Sequence, residues 1–280
     1  IAIGDRSSEN IGVADADIIV CTSEKLDSML RTNEGLLEKI GVVVSDEFHL
    51  LNDPSRGPTL EVILSRIRHE MPDAQIIALS ATVGNADSLA KWLDADLVKS
   101  EWRPVSLHCG VMSNLEIRVH RIEGEEPDEW PSERGLVGKK TKSLQAALDD
   151  TVSSNGQLLV FVSSRASAQK EARDLSEHVL KSLDKEDCPY DHDLVSKWKS
   201  ISSKINRGEE SSSVGKSLSN SVQGGVAFHH AGLTSSQRGA IEDAFKRGIL
   251  NCIVATPTLA QGVNLPARRV VVRDYRRWNT

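Results

Sequence analysis

The feature that most constrains the fold is a run of three valines, Val42-Val43-Val44, that ends in two adjacent carboxylates, Asp46 and Glu47, with Phe48 and His49 following. A β-branched run this short, bounded by Gly41 and a polar turn, predicts a strand buried on both faces, as in a parallel sheet covered by helices. Acidic groups at the carboxyl end of such a strand face the crevice where parallel sheets bind ligands. The pair suits a divided task, one oxygen ligand for Mg²⁺ and one base that aligns a water beside a phosphate. An acidic pair also marks many ordinary strand exits, so the rest of the chain must decide.

The same unit recurs along the chain. Asp17-Ile18-Ile19-Val20-Cys21 is a short apolar strand, followed by Thr22-Ser23-Glu24-Lys25 and a helical pattern through Leu26, Met29 and Leu30. Thr22 or Ser23 can cap that helix, and a helix start with a hydroxyl suits a phosphate as well as a plain cap. After the valine strand, Asn52-Asp53-Pro54-Ser55-Arg56-Gly57-Pro58 launches a helix with Leu60, Ile63, Leu64, Ile67 and Met71 on one face, stopped by Pro72. Ala74 to Leu79 is the next strand, ending in Ser80-Ala81-Thr82. These hydroxyls can bridge to the neighbouring strand or simply form a turn. Asn85 can cap a short helix through Leu89, Trp92 and Leu93.

Residues 121 to 142 change character. Glu123, Glu125, Glu126, Asp128, Glu129 and Glu133 mix with Gly and Pro, the composition of a linker or surface loop. This predicts a first domain over 1–120, a linker over 121–142 and a second domain over 143–280. In the second, Leu158 to Val162 is a strand ended by Ser163-Ser164-Arg165, and Ala168, Ala172, Leu175 and Val179 form one face of a helix. Residues 181 to 222 are polar and read as surface helices. Gly225 to Phe228 is a strand leading to His229-His230-Ala231-Gly232-Leu233, and the next helix turns Ile241, Ala244 and Phe245 inward. Cys252 to Ala255 is a strand ending in Thr256-Pro257-Thr258-Leu259-Ala260-Gln261-Gly262-Val263-Asn264-Leu265-Pro266, and Val270 to Val272 is the last.

Composition excludes some classes. No run approaches the roughly 18 apolar residues of a membrane span, and no signal-peptide pattern opens the chain. The four cysteines form no CxxC pair, which reads as a reduced, cytoplasmic protein without a zinc site or disulfide framework. The net charge of -6 is uneven: residues 1–140 hold 15 Lys and Arg against 25 Asp and Glu, whereas residues 141–280 hold 19 against 15. Only the second half is electrostatically permissive toward a polyanion. His229-His230 is no metal site on sequence grounds, since adjacent strand residues point to opposite faces and zinc wants three or four ligands. Hydrogen bonding at a strand end is the expected role. A phosphate-binding P-loop needs Gly, four residues, then Gly-Lys-Ser/Thr after a strand. Gly215-Lys216-Ser217 has Glu210 where the first glycine belongs, and Gly138-Lys139 has Glu133, so these 280 residues contain none.

Taken in order, Thr22-Ser23-Glu24-Lys25, Asp46-Glu47-Phe48-His49, Ser80-Ala81-Thr82, Phe161 to Arg165, His229 to Leu233 and Ala255 to Pro266 form a series that resembles the core of superfamily-two helicases. Arg56-Gly57-Pro58-Thr59-Leu60-Glu61, Arg103-Pro104-Val105 and the Asn-Leu-Pro-Ala string look most like the archaeal repair helicases of the Hjm/HelQ type, in the Ski-like branch. The resemblance covers nearly the whole chain. It implies an α/β fold of two RecA-like domains with mainly parallel sheets, whose strand-end loops close over ATP and grip one strand.

By residue, the resemblance implies that Asp46 holds Mg²⁺ on ATP, Glu47 orients or deprotonates the attacking water, and His49 senses the second domain. Ser80, Ala81 and Thr82 would couple hydrolysis to movement, and Gly262 and Asn264 would face the nucleotide. Thr22, Arg56, Ser164, Thr256 and Thr258 would touch the sugar-phosphate track, by backbone contacts that need no strongly basic surface. The implied activity is an ATP-dependent 3′–5′ DNA helicase acting as a monomeric motor on single-stranded or forked DNA in repair and replication restart. An RNA helicase of the same branch and a non-catalytic nucleic-acid-binding relative are the alternatives. The family's P-loop is expected upstream of Ile1 and its arginine motif downstream of Thr280. The chain is therefore expected to be part of a larger helicase, truncated in both domains and inactive by itself.

Overall fold

The computed structural model describes residues 16–32, 40–81, 84–100, 102–123, 133–206, 212–259 and 264–274. It is α/β with parallel sheets, and the chain divides into two compact units at Ser100/Glu101.

In the first unit, helix α1 (Ser23–Thr32) precedes strand β1 (Val42–Ser45), helix α2 (Gly57–Glu70), strand β2 (Gln75–Ala78) and helix α3 (Ala86–Leu93). β1 and β2 pair in parallel, Val42 opposite Gln75 and Ser45 opposite Ala78. The helical spacing of Leu60, Ile63, Leu64 and Ile67 buries one stripe of α2 as expected. Ile63 and Ile67 pack with Met29, Leu30 and Val43, while Leu60 and Leu64 pack with Phe48 and Leu93. Gly57 starts α2 because a Cβ there would lie 2.2 Å from the Leu51 carbonyl oxygen, closer than any side chain tolerates.

Three expectations are corrected in this unit. The valine strand is not buried on both faces: Val43 is covered, but Val42 and Val44 are 53% and 57% exposed. The cluster containing Val43 draws on α1 and α2, and among the described residues no helix covers the opposite face. The segment Asp17 to Cys21 carries a single bridge residue, Cys21, instead of a strand. Asn85 stands at the start of α3 without a side-chain capping bond.

The second unit opens with an antiparallel sheet of β3 (Leu107–Ser113), β4 (Glu116–Glu123) and β5 (Glu133–Gly135), in the order β3-β4-β5. Composition had divided these residues between the first domain and the linker. Their hairpin instead packs Leu115 and Leu136 against Ala146 and Ala147 of helix α4 (Ser143–Ser153). Arg134 and Arg269 both pair with the Asp150 carboxylate, at 2.5 and 2.6 Å, tying β5 and the last strand to the same helix.

After α4 come β6 (Leu158–Phe161), α5 (Arg165–Ser182), α6 (Asp193–Asn206), α7 (Ser213–Val222), β7 (Val226–His229), α8 (Ser235–Lys246), β8 (Cys252–Ala255) and β9 (Arg269–Val272). The four strands form an all-parallel sheet in the order β7-β8-β6-β9. Every residue of β7 and β8 is buried, so both sheet faces are covered, whereas β9 at the edge alternates. The polar stretch 181–222 is not merely a surface layer. Trp198, Ile205, Leu218 and Val222 belong to the main core, and the Trp198 indole N–H donates to Ile249 O at 2.7 Å. Small hydroxyls let α6 and α7 approach: Ser202 and Ser219 lie 2.8 Å apart, and Ser219 also donates to the Ser202 carbonyl at 2.9 Å. Gly225 adopts a left-handed φ of 69° beside the Trp198 ring, where a Cβ would sit 2.6 Å from ring carbons.

Candidate functional site

In the first unit, parallel pairing puts the carboxyl ends of β1 and β2 side by side. Leu79 N–H donates to Ser45 O at 2.9 Å and Phe48 N–H donates back to Leu79 O at 2.8 Å, so Asp46-Glu47 and Ser80-Ala81 leave the sheet next to each other. The Phe48 side chain is the anchor of this turn, buried and stacked on Trp92 at 6.4 Å. One Asp46 oxygen accepts the Glu47 N–H at 2.8 Å. Glu47 is left-handed, φ 53° and ψ 41°, and its Oε2 lies 3.2 Å from His49 Nδ1. That nitrogen makes no hydrogen bond among the described residues, so the pair is a close approach without one. Ser80 donates to the Ala81 carbonyl at 2.9 Å. Thr82 lies outside the described residues.

The exposed Asp46 side chain keeps its second oxygen without a partner among the described residues. A single hard carboxylate at a strand end is the donor that Mg²⁺ takes when most of its remaining sites go to water and phosphate. The residues therefore fit a phosphate-bound Mg²⁺.

Thr22 and Arg56, 34 positions apart in the chain, meet through Glu24. Thr22 caps α1, its hydroxyl accepting from Lys25 N–H at 3.2 Å, and Arg56 Nε lies 3.6 Å from Glu24 Oε1. The Glu24 carboxyl is held below its ordinary range, first by its own backbone N–H, then by the Thr22 hydroxyl and the Arg56 charge, against partial burial. Arg56 is aimed by Asp53, whose Oδ1 accepts from the Ser55 hydroxyl at 2.6 Å, Ser55 N–H at 2.9 Å and Arg56 N–H at 3.0 Å. Sequence reasoning passed over Glu24 and Asp53, although Asp-Pro-Ser-Arg is a legible turn of this type.

In the second unit, all four strand ends lie along one edge of the sheet. His229 ends β7 and His230 follows it, Thr256 follows β8, Ser163-Ser164 follow β6 and Arg273-Asp274 follow β9. The histidines take hydrogen-bonding roles. His229 Nε2 lies 2.8 Å from Glu242 Oε1 of α8. His230 Nδ1 accepts from Gly232 N–H at 3.1 Å, and its Nε2 lies 3.1 Å from the Gln169 carboxamide of α5. Burial first, then the charges of Arg165 and His229, lower the His230 pKa.

Ser164 caps α5, its hydroxyl accepting from Ser167 N–H at 3.1 Å. Arg165 is the first residue of that helix, and its guanidinium is close to where a Gly232 Cβ would stand, at 3.6 Å. The ends of β6 and β7 therefore come together. Thr256 is buried, with its N–H donating to His229 O at 3.1 Å, which links the ends of β8 and β7. Thr258 lies in the one-turn 3₁₀ helix Pro257–Leu259, and Asn264 is exposed ahead of β9. Gly262 lies outside the described residues. Among the described residues, no helix is long and apolar enough to cross a membrane.

Two family models match the chain in order: DEAD/DEAH box helicase over residues 3–89 and Helicase conserved C-terminal domain over residues 200–280. The ATP-dependent DNA helicase Hel308 of Methanocella arvoryzae is 42% identical over 279 residues, covering 100% of this chain and 35% of that protein. The proteins of the same name from Caldivirga maquilingensis and Pyrobaculum calidifontis are 39% and 41% identical over 280 residues, covering 98% and 100% of this chain and 34% and 37% of theirs. The chain thus spans about a third of the length of the curated relatives it matches. With both helicase models matched in sequence order and this identity sustained from end to end, the chain belongs to the superfamily-two helicases of the Hel308 type.

Proposed function

We propose that this chain is the motor segment of an ATP-dependent DNA helicase that moves 3′ to 5′ on single-stranded or forked DNA, as a monomer, in repair and replication restart. The observation that carries the reading is positional. Apart from Thr22 to Lys25, which opens α1 after a single bridge residue, the described motifs of the series stand at carboxyl ends of parallel strands or in the turns and helix starts next to them, where parallel sheets bind ligands.

In the first unit Asp46 is the oxygen ligand for Mg²⁺ on ATP, and Glu47 orients or deprotonates the attacking water. Bound Mg²⁺ supplies charge neutralisation at the phosphate oxygens. His49, 3.2 Å from Glu47, takes part in the same hydrolytic step. Ser80 and Ala81, leaving the adjacent strand, pass changes at Asp46-Glu47 to the rest of the unit, and Thr82 belongs to the same step. In the second unit Gly262 and Asn264 meet the nucleotide.

Thr22 and Arg56 form one contact point for the sugar-phosphate backbone, and Ser164, Thr256 and Thr258 form another. Hydroxyls and a single arginine suffice, because backbone contacts position a strand without reading its bases. When phosphate arrives, Arg56 exchanges the 3.6 Å Glu24 contact for it. The test uses the helicase with its flanking sequence in place. It is expected to hydrolyse ATP only when single-stranded DNA is added, and to unwind a 3′-tailed DNA duplex but neither its 5′-tailed counterpart nor the matching RNA duplex. Preference for the RNA duplex transfers the reading to an RNA helicase, and nucleic-acid binding without turnover transfers it to a non-catalytic relative.

A further inference from the structure

The turn after β6 is held by a residue that none of the motifs contains. Ser163 donates twice to one carboxylate oxygen, from its backbone N–H and from its hydroxyl, each at 3.0 Å from Asp274 Oδ2. Asp274 stands two positions past β9 and 111 along the chain from Ser163. Its other oxygen accepts from Arg273 Nε at 2.9 Å. Arg273 is fixed in turn: its N–H donates to Phe161 O at 3.0 Å, and its guanidinium pairs with Glu171 Oε1 of α5 at 2.5 Å. Burial alone would raise the Asp274 carboxyl, but Ser163 N–H, Arg273 and the Ser163 hydroxyl outweigh it and hold the group ionised, below its ordinary range.

Ser163 and Ser164 are both exposed, and two small polar residues after a strand have many accessible conformations. The carboxylate removes that freedom. With Ser163 locked to the end of β9, Ser164 is delivered at φ -135° and ψ 156°, the extended geometry that caps α5. Both Asp274 oxygens are engaged, Oδ2 by Ser163 and more distantly by Arg273 Nη2 at 3.5 Å, and Oδ1 by Arg273 Nε, so among the described residues the group acts on an incoming strand through Ser163 and its neighbour.

We propose that Asp274, backed by Arg273, is a positioning residue that presets the Ser163-Ser164 turn for a nucleic-acid backbone. The inference rests on the nucleic-acid reading given above. Its energetic logic is preorganisation: a turn ordered before binding loses less entropy when the strand arrives.

The test is fluorescence anisotropy of a labelled single-stranded oligothymidylate with the helicase, its flanking sequence in place, and four variants of it. Asp274→Ala is expected to weaken binding about fivefold, the effect of one newly mobile segment. Asp274→Asn keeps an acceptor oxygen for Ser163 and is expected to stay within about twofold of the parent. Ser164→Ala also weakens binding, and the double variant Asp274→Ala/Ser164→Ala binds no more weakly than the worse single variant, because both changes remove one contact. Additive losses, or an Asp274→Ala variant that binds like the parent, overturn the role. So does a variant whose affinity is intact but whose saturating bound fraction falls, since that marks a purely structural residue. If the parent itself does not bind, the nucleic-acid reading fails and takes this inference with it; a parent that binds beside an unaffected Asp274→Ala removes only the role of Asp274.

Discussion

His49 Nδ1 lies 3.2 Å from Glu47 Oε2, and the contact exists because Glu47 is left-handed. A non-glycine residue at positive φ costs about 1–3 kcal/mol and persists only where its surroundings determine it. Here the surroundings are the Asp46 carboxylate on the Glu47 N–H, the buried Phe48 ring and the Phe48 N–H on Leu79 O. The strain turns the Glu47 side chain back toward His49.

The first prediction follows from the chemistry of that carboxylate. Glu47→Gln keeps size and hydrogen-bonding reach but cannot take a proton. In the full-length helicase it is expected to lower DNA-stimulated ATP hydrolysis by at least about 100-fold, with nucleotide binding within about twofold of the parent. Steady-state phosphate release and binding of a fluorescent ATP analogue measure the two halves, and retained turnover removes Glu47 from the hydrolytic step.

The 280 residues on their own are expected to show no useful ATPase. They contain no Gly-x-x-x-x-Gly-Lys-Ser/Thr sequence and no Gln-x-x-Gly-Arg-x-Gly-Arg sequence, and those backbone amides, lysine and arginines supply much of the charge stabilisation in phosphoryl transfer. A DNA-stimulated rate above background from this chain contradicts the expectation.

Gly57→Ala is expected to destabilise the first unit by about 3 kcal/mol, since a Cβ 2.2 Å from the Leu51 carbonyl forces α2 away from the turn that precedes it. Urea unfolding followed by tryptophan fluorescence reads this, Trp92 being the unit's stacked reporter beside Phe48. Because α2 begins at the residue after Arg56, the same change is expected to loosen the Arg56 contact with Glu24. A midpoint equal to the parent's shows that the turn relaxes freely.

How much of this was legible depended on the range of the interaction. Local periodicity was enough for the buried stripe of α2, and strand-end position drew attention to Asp46 and Glu47, whereas Ser164 and Thr256 were named only through the family resemblance. Burial was not legible for Val42 and Val44, because three valines announce a strand but not how many faces are covered. The serines of α6 and α7 read as solvated, whereas Ser202 and Ser219 let two helices touch; composition does not distinguish a hydroxyl facing water from one facing another helix. Residues 107–123 carry no signal of which unit they join, since the hairpin's partners Ala146 and Ala147 lie beyond the acidic stretch. Asp274 was invisible for the plainest reason: its partner Ser163 is 111 residues away, outside any local pattern.

The last prediction concerns pH. His230 is kept neutral in the fold by burial, then by the Arg165 charge and His229, and its Nδ1 lone pair is occupied by Gly232 N–H. Its folded pKa therefore lies below the ordinary 6.5. Below pH 6.5 the unfolded chain takes up a proton at this site that the folded chain refuses, so stability falls as pH drops through that window and is unaffected by His230 above it. His230→Asn keeps an oxygen that can accept from Gly232 N–H but cannot titrate. The urea midpoint of the second unit is expected to fall less for His230→Asn than for the parent between about pH 7.5 and about pH 5, the range over which histidine changes charge. Carboxylates such as Asp274 and Glu24 titrate in both proteins and cancel in the comparison. Parallel profiles would mean that His230 binds its proton equally in both states, and that the Gly232 bond does not hold it neutral.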